Sequence, residues 1–129
     1  MTGTETKAKR YIALIYTDES RDANATPEDQ QKTMAAYYAF QGAAQKAGVM
    51  ETGDALDGTN VATTVRVRNG QRQTTDGPFA ETKEQLGGFY ILKCKDLDEA
   101  IEWASKIPAS EYGSIEVRPI MEFPEQPEQ

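Results

Sequence analysis

Apolar positions fall in short runs whose spacing switches between strand and helix periods along the chain. Tyr11–Tyr16 (YIALIY) is apolar at nearly every position, the pattern of a central strand covered on both faces. Thr26 then supplies an N-cap hydroxyl ahead of Pro27, Glu28 and Asp29, predicting a helix that runs to about Ala47 and stops at Gly48. Tyr37, Phe40, Ala44 and Ala47 form its apolar stripe, with Met34 and Tyr38 alongside, and its many alanines suggest close packing on a sheet. Val49–Leu56 reads as a second strand interrupted by Gly53. Asn69-Gly70 between two β-rich runs predicts a type I′ hairpin in which Arg68 faces Gln71 and Arg66 faces Gln73, so the two arginines share one side. Gly88–Cys94 is another strand apolar on both faces. Asp96 caps a second helix, with Glu99 completing a capping box, a stripe of Leu97, Ala100, Ile101, Ala104 and Ile107, and Pro108 as its end. Ser114–Phe123 is the last strand, with Ile115, Val117 and Met121 on one side.

Two β-α-β halves with an inserted hairpin predict an α+β, ferredoxin-like sheet carrying both helices on one face. Nothing in the remaining sequence covers the other face. A second copy is the economical cover, so a C2 homodimer is expected.

Composition narrows the chemistry. The chain has 129 residues, enough for one domain with its own core, here placed at residues 10–122 between loose tails at 1–9 and 123–129. A net charge of −7 with no basic cluster argues against direct nucleic-acid contact. Histidine is absent, which excludes imidazole acid–base chemistry, His-based triads and nearly all zinc sites. The carboxylates show no metal-ligand spacing, so neither metal nor cofactor is expected. Cys94 is the one cysteine and sits in a strand pattern, so it reads as a small core residue in a protein of a reducing cytoplasm. No leader or membrane-spanning run is visible.

The residues from Thr75 to Phe89 form the most unusual stretch, a long connection into a central strand. Asp76, Gly77 and Pro78 suit a fixed turn, Phe79, Glu81 and Lys83 offer contacts, and Gly87-Gly88 permits close approach of a ligand or partner chain. Each also has a purely structural reading: turn chemistry, a solvated face and a bulge.

The run DGPFAETKEQLGGF resembles the hallmark of the DGPF branch of the YCII-related family. Ala13–Tyr16, Gly53–Leu56, Ala62–Arg66, Leu97–Ala104 and Glu116–Pro119 fit the same pattern, so the resemblance spans roughly residues 10 to 121. It implies a dimeric α+β barrel, a fold shared with muconolactone isomerases and small cofactor-free monooxygenases. The resemblance also implies, for some members, a link to transcription initiation through sigma factors. YCII-type relatives carry a His–Asp pair suggested as catalytic, and this chain departs from that pattern because it has no histidine.

Two functional readings follow. In the first, the protein carries out cofactor-free proton transfer or elimination on a small organic acid. Asp76 or Asp54 is the base, Arg66 or Arg68 holds the carboxylate, and Tyr37 or Tyr38 donates a hydrogen bond. In the second, the protein is a non-catalytic module that binds a ligand or a protein. A cleft on which Asp76, Glu81 and Arg66 converge would favour a ligand, and an exposed DGPF segment would favour a protein partner.

Overall fold

A computed structural model describes residues 8–124. Strand β1 (Lys9–Thr17) lies between β5 (Gln85–Cys94) and β6 (Ser114–Pro119), and β2 (Met50–Ala55) pairs with the far edge of β5. The sheet order is therefore β2-β5-β1-β6, antiparallel throughout. The connection from β1 to β2 runs through a short helix α1 (Glu19–Ala23) and the long α2 (Pro27–Lys46), and α3 (Leu97–Ala104) joins β5 to β6. This is the ferredoxin-like α+β arrangement that the residue pattern predicts.

Alternation along the strands explains the layering. Tyr11, Ala13 and Ile15 of β1 share a face with Tyr90, Leu92 and Cys94 of β5 and pack against Phe40 and Ala44 of α2 and Ala100 and Ala104 of α3. The intervening residues Ile12, Leu14, Phe89 and Ile91 make the opposite face apolar as well. Cys94 is buried in the core, and burial, with Glu99 and Asp96 nearby, pushes its thiol up to about 11. It is a packed core residue, as its strand pattern suggests.

Both helix starts follow from their caps. Thr26 Oγ1 accepts from Asp29 N at 3.1 Å and the Asp29 carboxylate accepts from Thr26 N at 3.4 Å, a reciprocal box with Pro27 at the first helical position. Gly48, at φ 72°, lets the Gly48 and Val49 amides reach back to Gln45 and Ala44, closing α2 with a Schellman turn. Asp96 accepts from Glu99 N at 2.9 Å, whereas the Glu99 carboxylate reaches Lys95 N instead of the Asp96 amide, so that box closes one residue early.

Several boundaries differ from expectation. Lys9 belongs to β1, so the expected tail 1–9 is shorter, and residues 1–7 and 125–129 of the two expected tails lie outside the described residues. β6 ends at Pro119, with one further bond from Ile120 N to the Arg10 carbonyl at 2.8 Å, and Met121 beyond it is 73% exposed and does not pack inward. Only Ala44 among the α2 alanines is buried. The others in the helix are exposed and favour it through propensity, and Ala47, expected in the stripe, is the exposed C-cap. Leu97 and Ile101 of the α3 stripe are also exposed. Helix α1 goes unsignalled by periodicity because none of its residues is buried; it is held by the Asp18 side chain, which accepts from Ser20 N at 2.9 Å.

The hairpin β3 (Thr63–Arg68) and β4 (Gln71–Asp76) has the predicted register, Arg68 opposite Gln71 and Arg66 opposite Gln73. Asn69 and Gly70 both have positive φ, 53° and 74°, as the type I′ turn requires. It forms its own two-stranded sheet, separate from the four-stranded one.

Candidate functional site

A cleft of about 1220 Å³ opens on the helix side of the sheet, between α1, the first half of α2 and the adjoining ends of β2 and β5. Missing side chains on its floor help to open it. Gly53 and Gly88 lie there; a Cβ on Gly53 would sit 2.3 Å from Tyr90 Cδ1, and one on Gly88 would sit 2.9 Å from the Asp54 carbonyl oxygen. Gly87 is the extra residue of a bulge, since Ile15 pairs with Gly88 and Tyr16 with Leu86.

The wall is phenolic. Tyr37 and Gln41 stand one helical turn apart on α2 and face Tyr90 of β5 and Tyr112, which precedes β6. Gln41 Nε2 donates to Tyr90 Oη at 2.8 Å. Burial pushes the Tyr90 phenol above its ordinary value against the opposing pull of Gln41. Burial also pushes Tyr37 up strongly, with the Tyr112 and Tyr90 phenols adding to the effect. Both phenols therefore keep their protons at neutral pH. The Arg21 guanidinium carbon lies 3.6 Å from the Tyr112 ring centroid, a cation–π contact that holds α1 over the end of the cleft.

The rim is pinned by a carboxylate. Glu19 accepts from Thr59 N at 2.8 Å and from Thr59 Oγ1 at 2.7 Å, while the Glu19 amide donates to Gln85 Oε1 at 2.9 Å. These bonds tie the start of α1 to the short 3-10 turn at Thr59–Val61 and to the first residue of β5.

The residues singled out from sequence divide into two groups. Asp54, Gly87, Gly88 and Tyr37 line the cleft. Asp54 is paired with Phe89, and the alternation that puts Gly53 against Tyr90 sends its side chain to the opposite sheet face. The other group lies away from the cleft. Arg66 and Arg68 are exposed on the hairpin, and Tyr38 is 65% exposed on α2. Asp76 ends β4 opposite Thr63. Gly77, at φ 96°, donates to the Ala62 carbonyl at 2.7 Å and accepts from Thr64 Oγ1 at 2.8 Å, so the Asp-Gly pair fastens the foot of the hairpin. Pro78, Glu81 and Lys83 are exposed, and Phe79 is 78% exposed. Asp76, Glu81 and Arg66 do not converge on the cleft. The long connection is also shorter than the sequence suggests, because β5 begins at Gln85 and leaves only 77–84 irregular.

Sequence reasoning passed over Gln41, Tyr90 and Tyr112. Gln41 carried a usable signal: a polar residue one turn after Tyr37, on the edge of an apolar stripe. Among the described residues no group of three or more carboxylates and thiols is placed to hold a metal ion, and no helix is long and apolar enough to cross a membrane.

Comparison with known proteins places this geometry in a lineage. An uncharacterised protein of Rhizobium meliloti (strain 1021) is 39% identical over 112 residues, covering 85% of this chain and 90% of that one. The family model of the YCII-related domain matches residues 10–124, nearly all of the described structure, and the chain therefore belongs to the YCII-related domain family.

Proposed function

We propose that the protein is a DGPF-type YCII-related domain that binds a small organic acid or carbonyl compound in the tyrosine-lined cleft and polarises it for cofactor-free proton transfer or elimination. The hydrogen bond between Gln41 and Tyr90 carries this reading. The amide donates and the phenol oxygen accepts, so the Tyr90 proton is left to donate to a ligand oxygen. Tyr37, neutral for the same reason of burial, is held against Tyr112 and backs this wall of the cleft. A neutral phenol donating to a ligand oxygen stabilises the negative charge that develops there when a neighbouring C–H is deprotonated. Asp54 borders the cleft with its side chain on the opposite sheet face and Asp76 lies away from the cleft, so neither meets the ligand and the proton leaves to water at the open mouth.

A thermal-shift panel of small keto, hydroxy and aromatic acids tests the proposal. A ligand at a hundredfold excess over its Kd stabilises by about 2.7 kcal/mol, an expected rise of roughly 10 °C for a domain of this size. Tyr90→Phe removes one neutral donor and is expected to weaken that ligand roughly tenfold. A panel that leaves the melting temperature unmoved, or a Tyr90→Phe protein of full affinity, sinks the reading.

The protein acts as a C2 homodimer whose subunits cover each other's outer sheet face. Ile12, Leu14 and Phe89 form a half-covered apolar row there beside the buried Ile91, and apolar rows of this kind mark interaction surfaces. Light scattering at micromolar concentration is expected to give twice 14.3 kDa. A monomer mass would overturn the pairing.

A second reading rests on the exposure of Phe79 and its neighbours: the DGPF segment contacts another protein. A part in transcription initiation through a sigma factor would act this way, since a net charge of −7 disfavours DNA.

A further inference from the structure

An organic acid in the cleft needs a counter-charge, and Arg66 and Arg68 lie outside it on the hairpin. Two cations line the cleft, Arg21 of α1 and Lys32 of α2. Arg21 is the one the fold holds in place. Its guanidinium carbon, 3.6 Å from the Tyr112 ring centroid, is too close for an edge-on approach, so the group lies flat on the ring. A flat stack engages the face of the guanidinium and leaves its in-plane N–H donors free. Those donors meet no carboxylate among the described residues, whereas Arg10 is paired with Glu51 and Arg118 with Glu116. The acids nearest in sequence are engaged elsewhere or misplaced. Asp18 accepts from the Ser20 amide at 2.9 Å and from its hydroxyl at 2.6 Å, and Glu19 is bound to Thr59. Asp22 follows Arg21 directly, and adjacent residues of a helix do not face each other. Position adds to charge. Tyr37 lies close to both Tyr112 and Tyr90, so Arg21 and the Tyr90 phenol stand at two ends of one aromatic wall.

We infer that Arg21 is the carboxylate anchor of the cleft, and that the ligand is an aromatic or unsaturated acid whose carboxylate meets Arg21 at one end while a hydroxyl or carbonyl oxygen meets Tyr90 at the other. The inference rests on the cleft being the ligand site and names the ligand class and the residue that selects it. A guanidinium edge takes both oxygens of a carboxylate at once, and the stack on Tyr112 fixes the direction of that edge before the ligand arrives. The flat body of the acid lies along the tyrosines between the two ends. Glu19, Asp22, Asp29 and Asp57 also line the cleft, so a doubly charged phosphate is repelled where a singly charged carboxylate pairs.

The test is calorimetric titration of the full chain at neutral pH with para-hydroxybenzoate and with para-hydroxybenzamide, its uncharged counterpart of nearly the same shape. The wild-type protein is expected to prefer the acid by roughly tenfold, the worth of a charge-assisted hydrogen-bonded pair. Arg21→Gln is expected to remove that preference by weakening the acid alone, and Arg21→Lys to restore part of it, since lysine keeps the charge without the fork. Lys32→Gln is expected to leave the preference intact. Tyr90→Phe is expected to weaken acid and amide alike, because it acts at the other end. Equal wild-type affinity for acid and amide overturns the assignment. So does an Arg21→Gln protein that still prefers the acid, or one that loses both ligands equally, because Arg21 then only latches α1 over the cleft. A preference that Tyr90→Phe abolishes seats the carboxylate on the phenol and overturns it as well. The acid panel separates this inference from the reading beneath it. If other panel acids bind and para-hydroxybenzoate does not, the two-ended ligand fails alone; if no acid or amide binds, the cleft reading fails and the anchor with it.

Discussion

Gly53→Val is expected to destroy ligand binding and to cost about 1–3 kcal/mol of stability, the range for forcing extra atoms into a packed site. The reason is geometric. The first added carbon falls 2.3 Å from Tyr90 Cδ1 and 2.7 Å from the Phe89 carbonyl oxygen. The ring can turn away, which displaces Tyr90 from Gln41, but the carbonyl belongs to a central strand, so the pairing of β2 with β5 must shift as well. One substitution thus closes the floor and breaks the bond that orients the phenol. Gly42→Ala is the matching control. Nothing lies within 4 Å of a Cβ there, and alanine in mid-helix gains roughly 0.5–1 kcal/mol over glycine. Urea melts of the two variants with and without the best ligand of the acid panel give both numbers. A Gly53→Val protein that binds normally would show that the floor does not shape the site.

Leu92→Ala is expected to have the largest effect on folding, a loss of about 3 kcal/mol. Leu92 is fully buried, paired with Tyr11 on one side and Met50 on the other, and it joins the two central strands to both helices. Truncation removes three heavy atoms' worth of contacts and leaves a void that a close-packed layer of strands and helices cannot easily refill. The midpoint of denaturation is expected to fall with an unchanged denaturant slope. A loss below about 1 kcal/mol would show that the core collapses around the gap.

The parts of the fold legible in sequence are those whose cause is local. Asn69-Gly70 sets the hairpin register pair by pair because its turn geometry demands positive φ at both residues. Thr26-Pro27 and Gly48 mark the ends of α2 because caps depend on neighbours three or four residues away. Helix α1 escaped because its residues bury nothing, whereas the bulge that Gly87-Gly88 suggests is present in β5, at Gly87. The candidate site was the least legible part. Gln41 and Tyr90 are 49 residues apart, and nothing in either one's surroundings names the other. Tyrosine in a strand looks the same whether its hydroxyl meets solvent, a backbone carbonyl or a ligand. The motif residues around Asp76 attracted attention for a reason the structure makes plain: Gly77 needs positive φ and ties down the hairpin foot.

The separation of the ribbon from the main sheet has an evolutionary consequence. Its backbone hydrogen bonds close within the hairpin, and it meets the rest of the chain mainly at the Gly77–Ala62 foot. Insertions, deletions or new side chains beyond that foot leave the four-stranded register untouched. Paralogues descended from one ancestor could therefore diversify the ribbon while keeping the same four-stranded fold.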